Sequence, residues 1–144
     1  MSYEVTPAAW LGRSSPGIQL EPVSDRDQVA TLVKALVRIA EAWKLTNQEA
    51  SALLDVPPAT WSRMKAGTYR GSFDRDKVTR ASYLIGIYKG LRLLFNGPLT
   101  EGWPKTSNEG PGFGGRTPVE LMCAGGIPAL MKVRRHIDAL RGGL

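Results

Sequence analysis

TNQEASALLDVPPATWSRMKAG, residues Thr46 to Gly67, reads as two short helices joined by a tight turn. Thr46 and Glu49 stand three apart ahead of an apolar run, the pattern of a capping box. The Thr hydroxyl takes one unpaired helical N–H, and the Glu carboxylate reaches back to another. The first helix runs to about Leu54. Pro57 drives Val56 out of the helical region, and Asp55 falls at a turn position where a left-handed residue is needed, which Asp tolerates. A second helix opens at Pro58, where a missing N–H does no harm, and closes at Gly67. Small Ser51 falls where the two helices cross, and Val56 plugs the turn. Trp61 and Met64, three apart, face the core. Thr60, Ser62, Arg63 and Lys65 then face outward. This is the spacing of a helix-turn-helix, whose second helix lies in the DNA major groove. An ordinary helical hairpin is the competing reading.

Charge favours the first. The chain has 144 residues and a net charge of +6. Between Trp61 and Arg92 lie eight basic residues against two acidic ones, Asp74 and Asp76, which equals the whole excess. A basic block on a candidate recognition helix is the electrostatic footprint of phosphate contact. Within it, Arg63 is the expected bidentate reader of guanine, with Thr60 and Ser62 as secondary readers. Lys65, Tyr69, Arg70 and Arg75 are expected to hold phosphates.

On the N-terminal side, Ser24 to Leu45 is a strong helix. Val29, Leu32, Val33, Leu36, Ile39, Ala40 and Trp43 recur at three- and four-residue steps, with Ser24 or Asp25 as its cap. Residues 1–24 are rich in Pro, Ser and Gly, which suggests a loose arm pinned by Trp10 and Leu11; a buried extension competes. On the C-terminal side, Phe73 to Phe95 is expected as the longest helix, with a stripe of Val78, Ala81, Leu84, Ile85, Tyr88, Leu91 and Phe95. Asn96-Gly97-Pro98 ends it.

The glycine- and proline-rich stretch to Gly115 reads as a join between a DNA-binding half (25–95) and a second small module (96–144). Thr117 and Glu120 form a second capping box, with Pro118 at the first helical position. That helix stops at Gly125-Gly126. Pro128 opens a last one to about Arg141, with a Leu130, Val133, Ile137, Leu140 stripe and a basic opposite side. No strand pattern appears, so the expected class is all-α.

Composition excludes several functions. At 42% apolar and 22% charged the chain builds a core. It has no 18-residue apolar run to span a membrane and no signal-peptide pattern at its start. One cysteine, Cys123, and one histidine, His136, supply neither a disulfide framework nor a structural zinc site. A reducing, cytoplasmic setting is expected, with no cofactor and no metal. Catalysis is not expected either. His136 reads as a surface histidine beside two arginines and Cys123 as a small apolar filler. The 110–115 glycine run lacks a preceding strand and the Lys-Ser/Thr ending of a phosphate loop. Trp43, Trp61 and Trp103 read as packing residues.

The C-terminal stretch resembles the toxin-binding domain of the Xre/MbcA/ParS antitoxin family. The matching features are Trp103-Pro104, Asn108, then Gly115-Arg116-Thr117-Pro118-Val119-Glu120-Leu121-Met122, a glycine-containing break and a final amphipathic helix. In that family an Xre-like helix-turn-helix region precedes the domain, so the resemblance spans about residues 25–144. It implies a bacterial type II antitoxin, usually a homodimer, encoded beside a RES-domain toxin that acts on NAD or uses it for ADP-ribosylation. The antitoxin sequesters the toxin through its C-terminal domain and represses the shared operon by binding operator DNA. By position, Trp103, Arg116, Thr117, Pro118 and Glu120 fall in the matched motif, and Arg134, Arg135 and Arg141 of the last helix face the toxin. Leu121-Met122 departs from a frequent leucine pair. Two rivals are a helix-turn-helix regulator whose C-terminal module senses a ligand or protein, and an interaction module that no longer binds DNA.

Overall fold

The computed structural model describes residues 20–142. The expected pinning of the arm by Trp10 and Leu11 lies outside them. The chain runs through α1 (Arg26–Ala42), α2 (Asn47–Leu54), α3 (Pro58–Ala66), α4 (Arg75–Leu94), α5 (Leu99–Gly102), a 3-10 turn (Trp103–Lys105) and α6 (Pro118–Leu140). Among the described residues there is no strand; the one extended pairing is an isolated antiparallel bridge between Val23 and Phe73. The fold is all-α, as the periodicity indicates.

The caps explain where the helices start. Asp25 caps α1, accepting from the Gln28 amide at 3.0 Å. The Thr46–Glu49 box closes in both directions, at 3.0 and 2.9 Å. Asp55 takes the left-handed conformation (φ 55°, ψ 52°) that turns α2 into α3, and Gly67 (φ 78°) ends α3. Asp74 caps α4 and the Thr117–Glu120 box caps α6. The expected break falls at Gly126, whose φ of 65° and ψ of −149° leave the helical region inside α6. That backbone conformation is essentially restricted to glycine. The break divides α6 into two rods.

The second rod packs along α4, and two glycines make the approach possible. A Cβ at Gly90 would stand 2.7 Å from Ile137 Cγ2, and one at Gly86 would collide with the Arg134 guanidinium. Stepping from Gly86 to Gly90 on α4 therefore matches stepping from Arg134 to Ile137 and Arg141 on α6, so the two run parallel.

A single buried cluster runs from Val23 through Leu36, Trp43, Leu53, Trp61, Ile87 and Phe113 to Met122, Leu130 and Ile137. It crosses residue 96 without interruption. The connector is not the unstructured join expected from its composition. It carries α5 and the 3-10 turn, and buries Pro104 and Phe113. The end of the expected loose arm also differs. Val23 is 4% exposed, held by two backbone bonds of 2.8 Å to Phe73.

Candidate functional site

Two faces matter. The first is built on α3. Trp61 and Met64 are 2% exposed each and fix its inner side. Ser62, Arg63 and Lys65 are exposed and Thr60 is half-buried. Arg63 Nη2 donates to Thr60 Oγ1 at 3.2 Å, so two expected readers stand together. Lys65 Nζ donates to Asn47 Oδ1 at 2.9 Å, and the same oxygen accepts from Trp61 Nε1 at 3.2 Å. Asn47 thus ties the start of α2 to α3 and orients Lys65. Its place directly after the capping Thr46 was its only signal in the sequence.

The expected phosphate contacts divide. Arg70 is exposed and donates to the Gly67 and Tyr69 carbonyls at 3.4 and 3.2 Å. Tyr69 donates to the Ser72 carbonyl at 2.8 Å and meets Phe73 edge-on. Burial pushes its hydroxyl pKa up. Lys65, Tyr69 and Arg70 border a groove of about 500 Å³ whose other wall is Lys34 and Arg38 of α1. Those two cations extend the basic surface beyond the residues expected from the sequence. Arg75 is exposed but donates to the Leu20 carbonyl at 3.2 Å, fastening the start of the described chain.

Not every cation of the basic block is available. Arg80 turns inward, its side chain 12% exposed, with Nε 3.0 Å from Asp76 Oδ2 and Nη1 3.2 Å from the Leu53 carbonyl. Lys77 Nζ lies 3.1 Å from the same Asp76 oxygen. Burial raises the Asp76 pKa, but the hydrogen bonds from Lys77 and Arg80 outweigh it and hold the carboxyl below its usual range.

The second face belongs to the C-terminal part. The 108–116 loop closes on itself: Gly115 N donates to Asn108 O and Asn108 N to Arg116 O, both at 3.0 Å. Asn108 Oδ1 accepts from Gly110 N at 2.7 Å, and Lys132 Nζ donates to the Gly112 carbonyl at 3.0 Å. Trp103 stacks on His136 (centroids 5.9 Å, planes 15° apart), and Phe113 meets the same imidazole edge-on at 4.9 Å. His136 is therefore a packing residue rather than the solvated surface histidine expected, and burial lowers its pKa.

Of the residues carried over from the family motif, Arg116, Glu120, Arg135 and Arg141 are exposed. Thr117 and Glu120 are bonded to each other's backbone at 3.0 and 2.8 Å, and Pro118 is buried. Arg134 lies inward over Gly86, 3.3 Å from Asp138. Trp103 is half-buried in its stack.

Contacts join the two faces. Lys105 Nζ stands 2.9 Å from Glu49 Oε1 and donates to the Lys44 carbonyl at 2.6 Å. Burial raises the Glu49 pKa, but the Thr46 amide and Lys105 prevail and hold it low. Cys123 Sγ lies 3.7 Å from the Glu49 carbonyl. Burial, with the Glu49 charge, pushes this thiol up to about 11, so it stays protonated and is no nucleophile at neutral pH. No group of three acidic, His or Cys side chains among the described residues is placed to hold a metal. No described helix is long and apolar enough to cross a membrane.

Residues 23–86 match the antitoxin Xre-like helix-turn-helix domain. Residues 91–143 match the antitoxin Xre/MbcA/ParS C-terminal toxin-binding domain. An uncharacterized protein of Sinorhizobium fredii, y4oB, is 32% identical over 125 residues, which cover 85% of this chain and 93% of that protein.

Proposed function

The chain belongs to the Xre/MbcA/ParS-type antitoxins, and from that premise we propose that it neutralises a RES-domain toxin and represses the operon encoding both. The carrying observation is the open side of α3. Ser62 and Arg63 stand exposed on a rigid helix, on the same chain as a toxin-binding domain. Two copies of α3 in a homodimer enter successive major grooves roughly 34 Å apart and read a palindromic operator. Arg63 reads a guanine, with Thr60 and Ser62 beside it, while Lys65, Tyr69, Arg70 and Arg75 hold phosphates. Lys34 and Arg38 add to the attractive field.

The C-terminal domain occupies the toxin. Neither of the chain's matched domains belongs to an enzyme family, and a chain that works by occupancy needs no reactive group of its own. The test is co-expression with the product of the adjacent gene, together with footprinting on the shared promoter. Survival of cells carrying both genes, and a protected palindrome, are expected. Cells that die despite the second gene, or an unprotected promoter at low salt, would remove the corresponding half of the proposal. Phosphate contacts also require that DNA affinity fall steeply as salt rises.

A further inference from the structure

Lys34 and Arg38, four residues apart on α1, share one face of that helix and are exposed. Both border the groove of about 500 Å³ whose far wall is Lys65, Gly67, Tyr69 and Arg70. A second hollow continues it past Ala30 to Arg26, again with Tyr69 and Arg70 on the far side. From Arg26 to Arg38 this trench follows α1 for about 18 Å. Both of its walls lie within residues 23–86, the matched helix-turn-helix domain.

The charges along α1 are available. Lys77 and Arg80 of α4 are paired with Asp76, whereas the side chains of Arg26, Lys34 and Arg38 form no hydrogen bond or ion pair among the described residues. A cation in the first turn of a helix opposes its dipole, so Arg26 does not serve the start of α1. With Lys65 and Arg70, five cations line the two hollows against two acids, Asp27 near the start of α1 and Glu41 near its end. Cations strung out along a helix do not converge on one small anion; they fit an extended one. The trench is also continuous with the face of α3. Tyr69 and Arg70, two of the phosphate-holding residues, stand on its wall. A recognition helix reads bases with its N-terminal residues, so the C-terminal end of α3, where the groove lies, points toward the flanking strand.

We propose that this trench seats the sugar–phosphate strand beside the bases that α3 reads, with Lys34 and Arg38 in direct contact with its phosphates and Arg26 at the outer end. The proposal rests on the reading of α3 as a DNA-recognition helix and extends its footprint onto α1. Such contacts carry no sequence information; they fix the register of α3 and add affinity.

The full chain and its Arg26→Ala, Lys34→Ala and Arg38→Ala variants are titrated by fluorescence anisotropy at several salt concentrations. The probes are the promoter duplex upstream of the gene and a scrambled duplex of equal length. Each alanine should lower the slope of log affinity against log salt by about 0.9 and weaken both duplexes by one common factor. The urea midpoint should not move, and Arg38→Lys should keep the wild-type slope. Ethylation of the flanking phosphates should weaken binding by the wild-type chain and cease to matter in Lys34→Ala. Lys89→Ala, which removes an exposed cation of α4 that lines neither hollow, should leave the slope as it is. An equal loss in Lys89→Ala would reveal a diffuse field in place of contacts and overturn the proposal. Wild-type slopes in both Lys34→Ala and Arg38→Ala overturn it too; a changed oligomeric state by light scattering would then give the groove to a second copy. A wild-type chain that binds neither duplex at low salt overturns the DNA-binding reading of α3 itself, which tells the two failures apart.

Discussion

Arg80 and Arg63 belong to the same basic block in the sequence and do opposite work in the fold. Arg80 sits where α2, α4 and the Gly126 break meet, bonded to Asp76 and the Leu53 carbonyl and 3.9 Å from Asp55. Arg80→Met leaves the Leu53 carbonyl without this donor and Asp76 with Lys77 alone. The cost should be about 1.5–3 kcal/mol, the range for a lost hydrogen bond to a charged group. The urea midpoint should fall accordingly, with the salt dependence of DNA binding unaltered. Arg63→Ala should do the reverse, leaving the midpoint in place and costing about 1–3 kcal/mol at one base position, with relaxed specificity there. Competition shift assays on operator variants check this second outcome. Two carboxylates set the acid end of the pH response. Glu49 and Asp76 both titrate below their usual values in the folded chain. Their pairing stabilises above the unfolded pKa, near 4, and is lost as pH falls through the folded values. The urea midpoint, followed by circular dichroism, should slip as pH falls below about 6.5, where His136 protonates more readily in the unfolded chain, and fall further below about 4, the second fall being less steep in Glu49→Gln. An equal slope in that variant would show that the Lys105–Glu49 pair carries none of it.

At the scale of helices, the α6 break and the close approach to α4 each depend on a glycine. Gly126→Ala forces a side chain into a conformation that costs roughly 1–3 kcal/mol. Gly90→Ala sets a methyl against Ile137, an overpacking penalty of about 1–3 kcal/mol. Urea unfolding should show both losses, and an unshifted midpoint in Gly90→Ala would mean that α6 slides freely along α4. The sequence displays the break plainly, because Gly125-Gly126 and Pro128 interrupt a capped amphipathic run. It displays both capping boxes and the Asp55 turn for the same reason: each is local, decided by residues within four positions. The contacts it hides are those between distant segments. Periodicity puts Arg80 off the apolar stripe of α4, yet says nothing of the Leu53 carbonyl above it. Likewise Trp103 reads as a packing residue, but only the tertiary fold sets it against both Phe113 and His136. The Val23–Phe73 bridge is two isolated residues, too short to give any alternating pattern.

Over the whole molecule, the question is whether the DNA-binding and toxin-binding parts unfold as one body. The sequence suggests two, because a glycine-rich stretch near residue 100 looks like a linker. The packing argues for one. Leu130, Val133 and Ile137 of α6 are fully buried in the same cluster as Ile87 and Leu91 of α4, and Lys105 reaches across to the capping box of α2. Helix α4 packs against both α1 and α6, so neither part keeps a complete core without the other. A single cooperative transition follows for a domain of this size. Amide hydrogen exchange at rising urea concentration reads this directly. The slowest amides of α1, α3 and α6 should converge on one opening free energy with one urea dependence. If the α6 amides exchange at a plateau of their own while α1 and α3 stay protected, the C-terminal part opens independently. A toxin could then hold it without any consequence for the helix that reads DNA.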